Sequence, residues 1–369
     1  MSAGLDESVL GSEPRLAEVD RAGLLRSVAT AGAQVRESLA LAAEEGVPEL
    51  LAGARARAVL VASDPAADDV AALVAALADR ADAVAPVVRQ DGPELPMWAG
   101  AVDILLVTAL SPAATAPATL VEAATRRGLT VLGVGPADSM LHEACGRNRA
   151  GYVPLAAGRH PRANLWAPLV PLLLAAGELG LMPAPAMELR RCADLLDTLA
   201  ERCRPGSDTF ANPAKSLALD LAESVPVVVG STRVGGAAGR RLAGGLAAAG
   251  RPVPWGTLPI APYRLGGLLA GGTGNGPEDL FRDRVDDPGP TRPRLVMVRT
   301  GEESDQIRAQ VDELSADCGR RGVPVTEVVA EDAAGPVGRL ASVLGLLDFT
   351  AAYVGLASGS FGQDGEDGR

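Results

Sequence analysis

The feature that most constrains the fold is an alternation of strand-like and helix-like segments that occurs twice along the chain. Apolar runs of strand length lie at 58–62, 83–88, 103–108, 130–134 and 152–155, and again at 226–229, 295–300 and 324–330. Segments with helical periodicity lie between or after them at 68–79, 117–127, 138–145, 234–249, 302–321 and 336–356. This alternation is typical of parallel sheets covered by helices on both faces. We therefore predict an α/β protein with two tandem, doubly wound parallel-sheet domains and flanking helices.

The segments around the two series set the predicted domain boundaries. Residues 1–50 are expected to form an N-terminal helical segment whose first 15 residues are loose, and residues 161–205 a helical connector. The first sheet domain then spans 51–160 and the second 206–357, with a long surface loop at 266–293. The tail at 358–369 is rich in Gly, Asp and Ser, a composition that predicts disorder.

Charge and cysteine usage exclude several classes of function. A formal net charge of −12 argues against nucleic acid or an anionic membrane as partner. The most apolar run, 165–181, contains two prolines and a glutamate and is too short to span a bilayer, so we expect a buried or interface helix. The four cysteines lack CxxC spacing and no secretory signal is present, so we expect free thiols and a cytoplasmic location. The two histidines are too sparse for a metal site, and we expect no metal or cofactor.

The only lysine of the chain, Lys215, lies at the start of a clearly marked helix. Asn212 is a favourable N-cap, and Pro213 suits the first helical position because its missing N–H costs nothing there. A cation in the first turn of a helix opposes the helix dipole and calls for a nearby anion. That anion is either a carboxylate of the protein or the phosphate of a ligand, and the sequence leaves both open.

Hydroxyl side chains follow several of the predicted strands. Ser63 follows the first strand, Ser111 follows the third, and Ser231 and Thr232 follow the first strand of the second half. Ligands of open α/β sheets bind at the carboxyl ends of the strands, and a helix N-terminus after such a loop favours anions. These hydroxyls therefore mark candidate anion sites, although Ser and Thr are common in loops of every kind.

Parts of the chain resemble a known enzyme family. The run N-P-A-K-S-L-A-L-D-L-A-E-S-V-P-V-V-V-G at 212–230 resembles the segment that opens the C-terminal half of the bifunctional phosphoglucose/phosphomannose isomerases. Residues 321–330 and 338–357 resemble the end of the same family, and 98–107 fits its first half. More narrowly, the chain resembles the divergent actinobacterial branch encoded beside mannose-metabolism enzymes. The resemblance implies two sugar-isomerase (SIS) domains, a sugar-phosphate ligand, and a homodimer with the helices at 161–181 and 336–356 as candidate interface.

The positions that bind phosphate in the family are altered here. Its first glycine-rich loop corresponds to 62–67, which contains no glycine. Its S-G-N-T-E phosphate loop corresponds to Ser111–Thr115, where Pro112 replaces the glycine and lacks an N–H donor. Together with the strand-end argument, the resemblance gives a set of candidate phosphate-binding residues. They are Ser63, Ser111, Thr115, Ser231, Thr232 and Arg241.

The proton-transfer positions of the family are altered as well. Aldose–ketose isomerisation needs groups that open the sugar ring and a base that moves a proton between C1 and C2. The family's glutamate base aligns near Ala248, its following lysine at Arg251 and its histidine near Tyr263. Residues 161–369 contain no histidine, so a second subunit cannot supply that histidine from this half, and the lysine near the family's C-terminus is absent.

Three hypotheses follow for the function. In the first, a catalytically silent SIS-fold protein binds a sugar phosphate and regulates or scaffolds a pathway. In the second, an isomerase uses replaced residues such as Tyr263, Glu302 or Glu303. In the third, the chain is a structural partner without a ligand. The loss of proton-transfer groups lowers rates by orders of magnitude, which favours the first hypothesis over the second.

Overall fold

A computed structural model describes residues 5–80, 82–183, 186–270, 292–301, 303–331 and 335–361. Contacts group the chain into two compact units. The first-half unit consists of Ser27–Asp197 and Ala334–Gly338. The second-half unit consists of Met1–Arg26, Thr198–Ala333 and Arg339–Arg369, so the N-terminal residues group with the second sheet.

The first-half unit is built on a parallel five-stranded sheet with the order β2-β1-β3-β4-β5. Its strands are β1 (Val59–Ser63), β2 (Val87–Gln90), β3 (Ile104–Thr108), β4 (Thr130–Pro136) and β5 (Gly151–Leu155). Its helices are α4 (Ala31–Glu44), α5 (Val47–Leu51), α6 (Asp68–Ala78), α7 (Thr115–Arg126), α8 (Met140–Asn148) and α9 (Trp166–Glu178). The central strands β1 and β3 are in register from Val59↔Ile104 to Ser63↔Thr108, so their carboxyl ends coincide.

The second-half unit contains a parallel four-stranded sheet with the order β7-β6-β8-β9. Its strands are β6 (Val225–Gly230), β7 (Trp255–Thr257), β8 (Pro293–Arg299) and β9 (Val325–Val329). Its helices are α1 (Glu7–Leu10), α2 (Glu13–Val19), α11 (Pro213–Ala222), α12 (Arg233–Ala248), α13 (Ala261–Ala270) and α14 (Asp305–Arg320). Three helices extend across the limits of the units: α3 (Leu24–Ala29), α10 (Ala186–Arg202) and α15 (Gly335–Ala357).

The central strands are continuous apolar runs because both of their faces are covered. Every residue of β3 is buried, as are Val227, Val228 and Val229 of β6. Small residues let α12 approach the sheet closely: a Cβ on Gly230 would lie 2.0 Å from the backbone nitrogen of Gly236. The junction between β6 and α12 therefore requires glycine, and it brings the start of α12 directly onto the strand ends.

The sequence prediction of an α/β chain with two parallel sheets is confirmed, and the predicted strands are present within a few residues. The strand expected at 83–88 is displaced to Val87–Gln90. The loop expected at 266–293 is wrong at both ends, because α13 continues to Ala270 and β8 begins at Pro293. Residues 271–291 of that predicted loop lie outside the described residues. The three-residue edge strand β7 was not predicted.

The expectation of loose residues 1–15 is wrong for the described part. Asp6 caps α1, Ser12 caps α2, and the amide of Asp6 donates a hydrogen bond to the carbonyl of Ala357 (2.9 Å). The disordered tail predicted from Ser358 is likewise wrong for 358–361, because Phe361 is buried against Gly355. Residues 362–369 lie outside the described residues.

One helix among the described residues, α15, has the length and hydropathy of a membrane span. Its most apolar window is 83% buried inside the protein, as is typical of a core helix. The helix α9, which lies within the apolar run 165–181 considered from the sequence, is also buried along most of its length. All four cysteines are buried free thiols, as predicted.

Candidate functional site

In the first-half unit, the predicted phosphate-binding residues lie around the carboxyl ends of β1 and β3. Ser63 is the last residue of β1 and is partly buried, as is Ser111 in the loop after β3. Thr115 is the exposed first residue of α7. The structure therefore places these three residues at one edge of the sheet, as the strand-end argument predicts.

A buried carboxylate occupies the same edge. Asp64, directly after β1, is only 2% exposed. Its Oδ1 accepts hydrogen bonds from the amides of Ala67 (2.9 Å) and Leu110 (3.3 Å), and its Oδ2 accepts one from the amide of Ser111 (2.9 Å). Backbone N–H groups in and beside the loops where the sequence predicts phosphate binding thus donate to the carboxylate of Asp64. The sequence signal for this arrangement was an Asp between a buried strand and a proline.

In the second-half unit, three hydroxyl residues lie where β6 and β8 end, and two of their hydroxyl groups are in contact. Thr232 caps α12: its Oγ1 accepts a hydrogen bond from the amide of Gly235 (3.1 Å). The same oxygen lies 2.9 Å from Oγ1 of Thr300, the residue after β8. Ser231 is fully buried beside them, and its amide donates to the carbonyl of Val298 (3.0 Å). We call Ser231, Thr232 and Thr300 the second-half hydroxyl cluster.

Charged side chains border the hydroxyl cluster. The Arg299 guanidinium contacts both carboxylate oxygens of Glu303 (3.0 and 2.6 Å). Burial raises the pKa of Glu303, but the hydrogen bonds from Arg299, assisted by the nearby Ser231 hydroxyl, outweigh it, so the net pKa lies below the ordinary value. The Ser231 hydroxyl nevertheless makes no hydrogen bond of normal geometry. Arg339 also reaches this edge, where its Nε donates to the carbonyl of Thr300 (3.1 Å).

Arg241, the remaining predicted anion-binding residue, is engaged elsewhere. Its guanidinium forms a two-point ion pair with Asp348 of α15, with N–O distances of 2.7 and 3.1 Å. Both side chains are largely buried, so the pair fastens α12 to α15. The structure therefore gives Arg241 a packing role rather than a place in the hydroxyl cluster.

Lys215 is also bound within the protein. The residue is 2% exposed, and its ammonium group donates to the carbonyls of Pro205 (2.6 Å) and Ser207 (3.0 Å). The Tyr353 ring lies 5.6 Å from the ammonium nitrogen, and burial lowers the pKa of Lys215 against the opposing effect of Glu13 and Asp208. The ammonium group is thus held by two backbone carbonyls, with the carboxylates of Glu13 and Asp208 close enough to oppose the effect of burial. Asn212 caps α11 as predicted, accepting from the amides of Ala214 and Lys215.

Arg251 and Tyr263 are the residues that the sequence comparison placed near the lysine and histidine positions of the isomerases. Arg251 donates to the carbonyls of Leu221 and Ala222 and so caps the end of α11. Tyr263 is 91% exposed on α13. Glu302 lies outside the described residues, and the described part of the chain contains no cluster of metal-ligating side chains.

Comparison with known proteins identifies the second half of the chain. Residues 210–360 match the family model described as the bacterial phospho-glucose isomerase C-terminal SIS domain. The match covers less than half of the chain and supports the sequence prediction of a SIS domain in this half. The matched segment contains the hydroxyl cluster, Lys215 and Arg251. No curated protein matches the chain significantly.

Solved structures extend the likeness to most of the chain. A hypothetical protein from Thermus thermophilus superposes with a TM-score of 0.63 at 12% identity, covering 93% of this chain and 88% of its own. The tagatose-6-phosphate ketose/aldose isomerase of Escherichia coli gives 0.58 at 13%, with 96% and 95% covered. The glucosamine-6-phosphate deaminase of Thermotoga maritima gives 0.58 at 10%, with 91% and 93% covered. At these identities the likeness establishes the fold alone, which the chain shares with these three proteins.

Proposed function

We propose that this protein binds a sugar phosphate and has lost the aldose–ketose isomerase activity of its enzymatic relatives. The support for a sugar-phosphate ligand is the SIS fold together with the names of the structural neighbours. The Escherichia coli isomerase and the Thermotoga maritima deaminase are both named for a hexose 6-phosphate. A shared fold alone does not fix a ligand, so the proposal depends on a site that suits a phosphate.

The second-half hydroxyl cluster is the observation that carries the proposal. The Thr232 and Thr300 hydroxyls lie 2.9 Å apart at the start of a 16-residue helix, where the dipole favours an anion. The buried Ser231 hydroxyl, which lies close to Glu303 but makes no hydrogen bond of normal geometry, is proposed as a further donor. Arg339 adds positive charge at the same edge, and Arg299 pairs with both Glu303 and Glu327 there. The phosphate group of the ligand is therefore assigned to this cluster.

The loss of catalysis is inferred from what the replaced residues do. A general base needs to be within hydrogen-bond reach of the proton that it removes and free to accept it. Glu303 is held by Arg299, and Arg251 is held by the carbonyls at the end of α11. With Tyr263 in solvent, none of these three side chains is poised as the family's glutamate, lysine or histidine would be.

A thermal-shift series with hexose phosphates tests the proposal. We expect glucose, mannose or fructose 6-phosphate to raise the Tm of the wild-type protein, by about 3–6 °C at 10–30 times Kd. Ser231→Ala removes one donor from the cluster and should weaken this shift while leaving the unliganded Tm within about 2 °C. Thr108→Val is the matched control, because Thr108 also ends a central strand with a buried hydroxyl that makes no hydrogen bond, but lies in the other unit.

Two results would contradict the proposal. No stabilisation by any hexose phosphate would favour a structural partner without a ligand. Robust interconversion of fructose 6-phosphate with glucose or mannose 6-phosphate, in a coupled assay, would instead make the chain an isomerase with replaced acid/base groups.

The proposal also includes the cellular location, the oligomeric state, the branch of the isomerase family and the domain limits. We place the protein in the cytoplasm, as a homodimer, within the bifunctional phosphoglucose/phosphomannose branch of the isomerases. The domain limits of 51–160 and 206–357 stay predictions too. Light scattering of the purified chain tests the dimer, because a mass near 37.5 kDa would show a monomer instead.

A further inference from the structure

The carboxyl edge of the first-half sheet contains a complete set of anion-binding donors. The amide of Ala67 comes from the loop after β1, whereas those of Leu110 and Ser111 come from the loop after β3, more than 40 residues later. Converging backbone N–H groups at the ends of adjacent parallel strands form concave sites that suit phosphate and other oxyanions. In this protein, all three donate to the side chain of Asp64.

Asp64 differs from the other fully buried aspartate of this unit. Asp103 is paired with the Arg57 guanidinium at 2.6 Å and accepts the amide of Gly100 as well. The hydrogen bonds described for the Asp64 carboxylate come only from backbone amides. Asp64 is thus bound as an anionic ligand would be, by oriented N–H groups rather than by a countercharge.

The surroundings of Asp64 suit a small oxyanion. Pro65 and Pro112, which flank the two loops, are exposed, so the site is close to solvent. Thr108 ends β3 next to Asp64, whose amide donates to the Thr108 carbonyl (3.1 Å).

We propose that the loops 63–67 and 110–111 form an oxyanion site which the Asp64 carboxylate occupies permanently. The internal charge satisfies the donors and repels a phosphate group, so the wild-type chain binds no phosphate at this edge. Removal of the carboxylate opens the site to inorganic phosphate. This inference concerns the first-half unit and does not depend on the hydroxyl cluster of the second half.

The test is the rescue of Asp64→Ala by inorganic phosphate. The variant leaves three amides without an acceptor, so we expect a Tm several degrees below that of the wild type. Phosphate at about 20 mM should then raise the Tm of the variant by about 3 °C more than that of the wild type, with potassium chloride at equal ionic strength as the reference. A crystal structure of the variant should show the phosphate on the amides of Ala67, Leu110 and Ser111.

Two controls separate this site from general effects of phosphate. Asp64→Asn removes the charge but fills the same space, so it should be destabilised without gaining a phosphate response. Ser139→Ala removes a neutral cap at the same edge of the sheet, where the Ser139 hydroxyl accepts from the amide of His142 (3.1 Å). Its phosphate response should equal that of the wild type.

The outcomes decide the proposal directly. If Asp64→Ala gains no more from phosphate than Ser139→Ala does, or if wild-type crystals show phosphate on these amides, the inference is wrong. If Asp64→Ala is soluble only when it is purified in phosphate, the inference is supported. Asp64→Ser, which keeps one acceptor oxygen, then supplies the stability measurement.

Discussion

Replacing Lys215 with Met tests whether the single lysine stabilises the fold or binds a ligand. Its ammonium group donates to two carbonyls, and the residue is almost completely buried. A hydrogen bond from a charged group contributes about 1.5–3 kcal/mol, and part of this is offset by the cost of burying the charge. Methionine preserves much of the volume but leaves both acceptors unpaired. We therefore expect the free energy of unfolding to fall by about 2–4 kcal/mol.

Urea unfolding followed by circular dichroism measures this loss. The midpoint should fall while the slope m stays unchanged, because the same surface is exposed on unfolding. Arg320→Met is the matched control: it removes a cation from an exposed ion pair at the end of α14, and it should change stability by less than about 0.5 kcal/mol. Any sugar-phosphate affinity should be the same in both variants under conditions where both are folded.

Two results would refute the reasoning about Lys215. One is a stability of Lys215→Met equal to that of Arg320→Met, which would mean that the two carbonyl contacts contribute nothing. The other is an intact stability with a loss of ligand affinity, which would make the lysine a ligand-binding residue as its place in the first turn of α11 first suggested.

Two further predictions concern charge and thiol chemistry. The folded state holds the pKa of Glu303 below its usual value, so its contribution to stability is present above about pH 4.5 and is lost as the pH falls through the folded pKa. Glu303→Gln should therefore be less stable than the wild type at pH 7 but closer to it at pH 4, as measured by urea titrations. If the variant and the wild type differed in stability by the same amount at both pH values, the pairing with Arg299 would be contradicted. Burial raises the pKa of Cys145 and Cys192 to about 12 and that of Cys203 to about 11. A disulfide reagent at pH 8 should therefore modify no thiol of the native protein, and four thiols after denaturation. Rapid modification of the native protein would show that these cysteines are accessible.

The elements that were predicted correctly are those whose pattern is local and strong. Buried strands such as β3 and β6 are unbroken apolar runs, and α11 begins with an N-cap and a proline, so sequence alone indicates them. The strand β7 was missed because it has three residues and lies at an edge, where no apolar run is required. The helix α13 was missed because its glycines at 266 and 267 suggested a loop.

The candidate site was predicted only in part, for a physical reason. The strand-end rule brings Thr232 and Thr300 together, since the ends of neighbouring parallel strands coincide. It says nothing of how many other groups compete for the same donors. Asp64 binds amides 46 and 47 residues away, and Arg241 pairs with a carboxylate 107 residues away. Such pairings depend on distances that only the folded chain defines.

The burial of Lys215 has a chemical consequence for a protein that we propose to bind sugar phosphates. Open-chain aldoses and ketoses condense with unprotonated amines, and the adducts rearrange to stable products. This chain has one lysine, whose Nζ is enclosed beneath Tyr353 and bound to two carbonyls. Its other basic side chains are the guanidinium groups of arginine, which stay protonated, and two histidines. The side chains of this protein therefore offer no accessible ε-amine that a reducing sugar phosphate could glycate, even on prolonged contact.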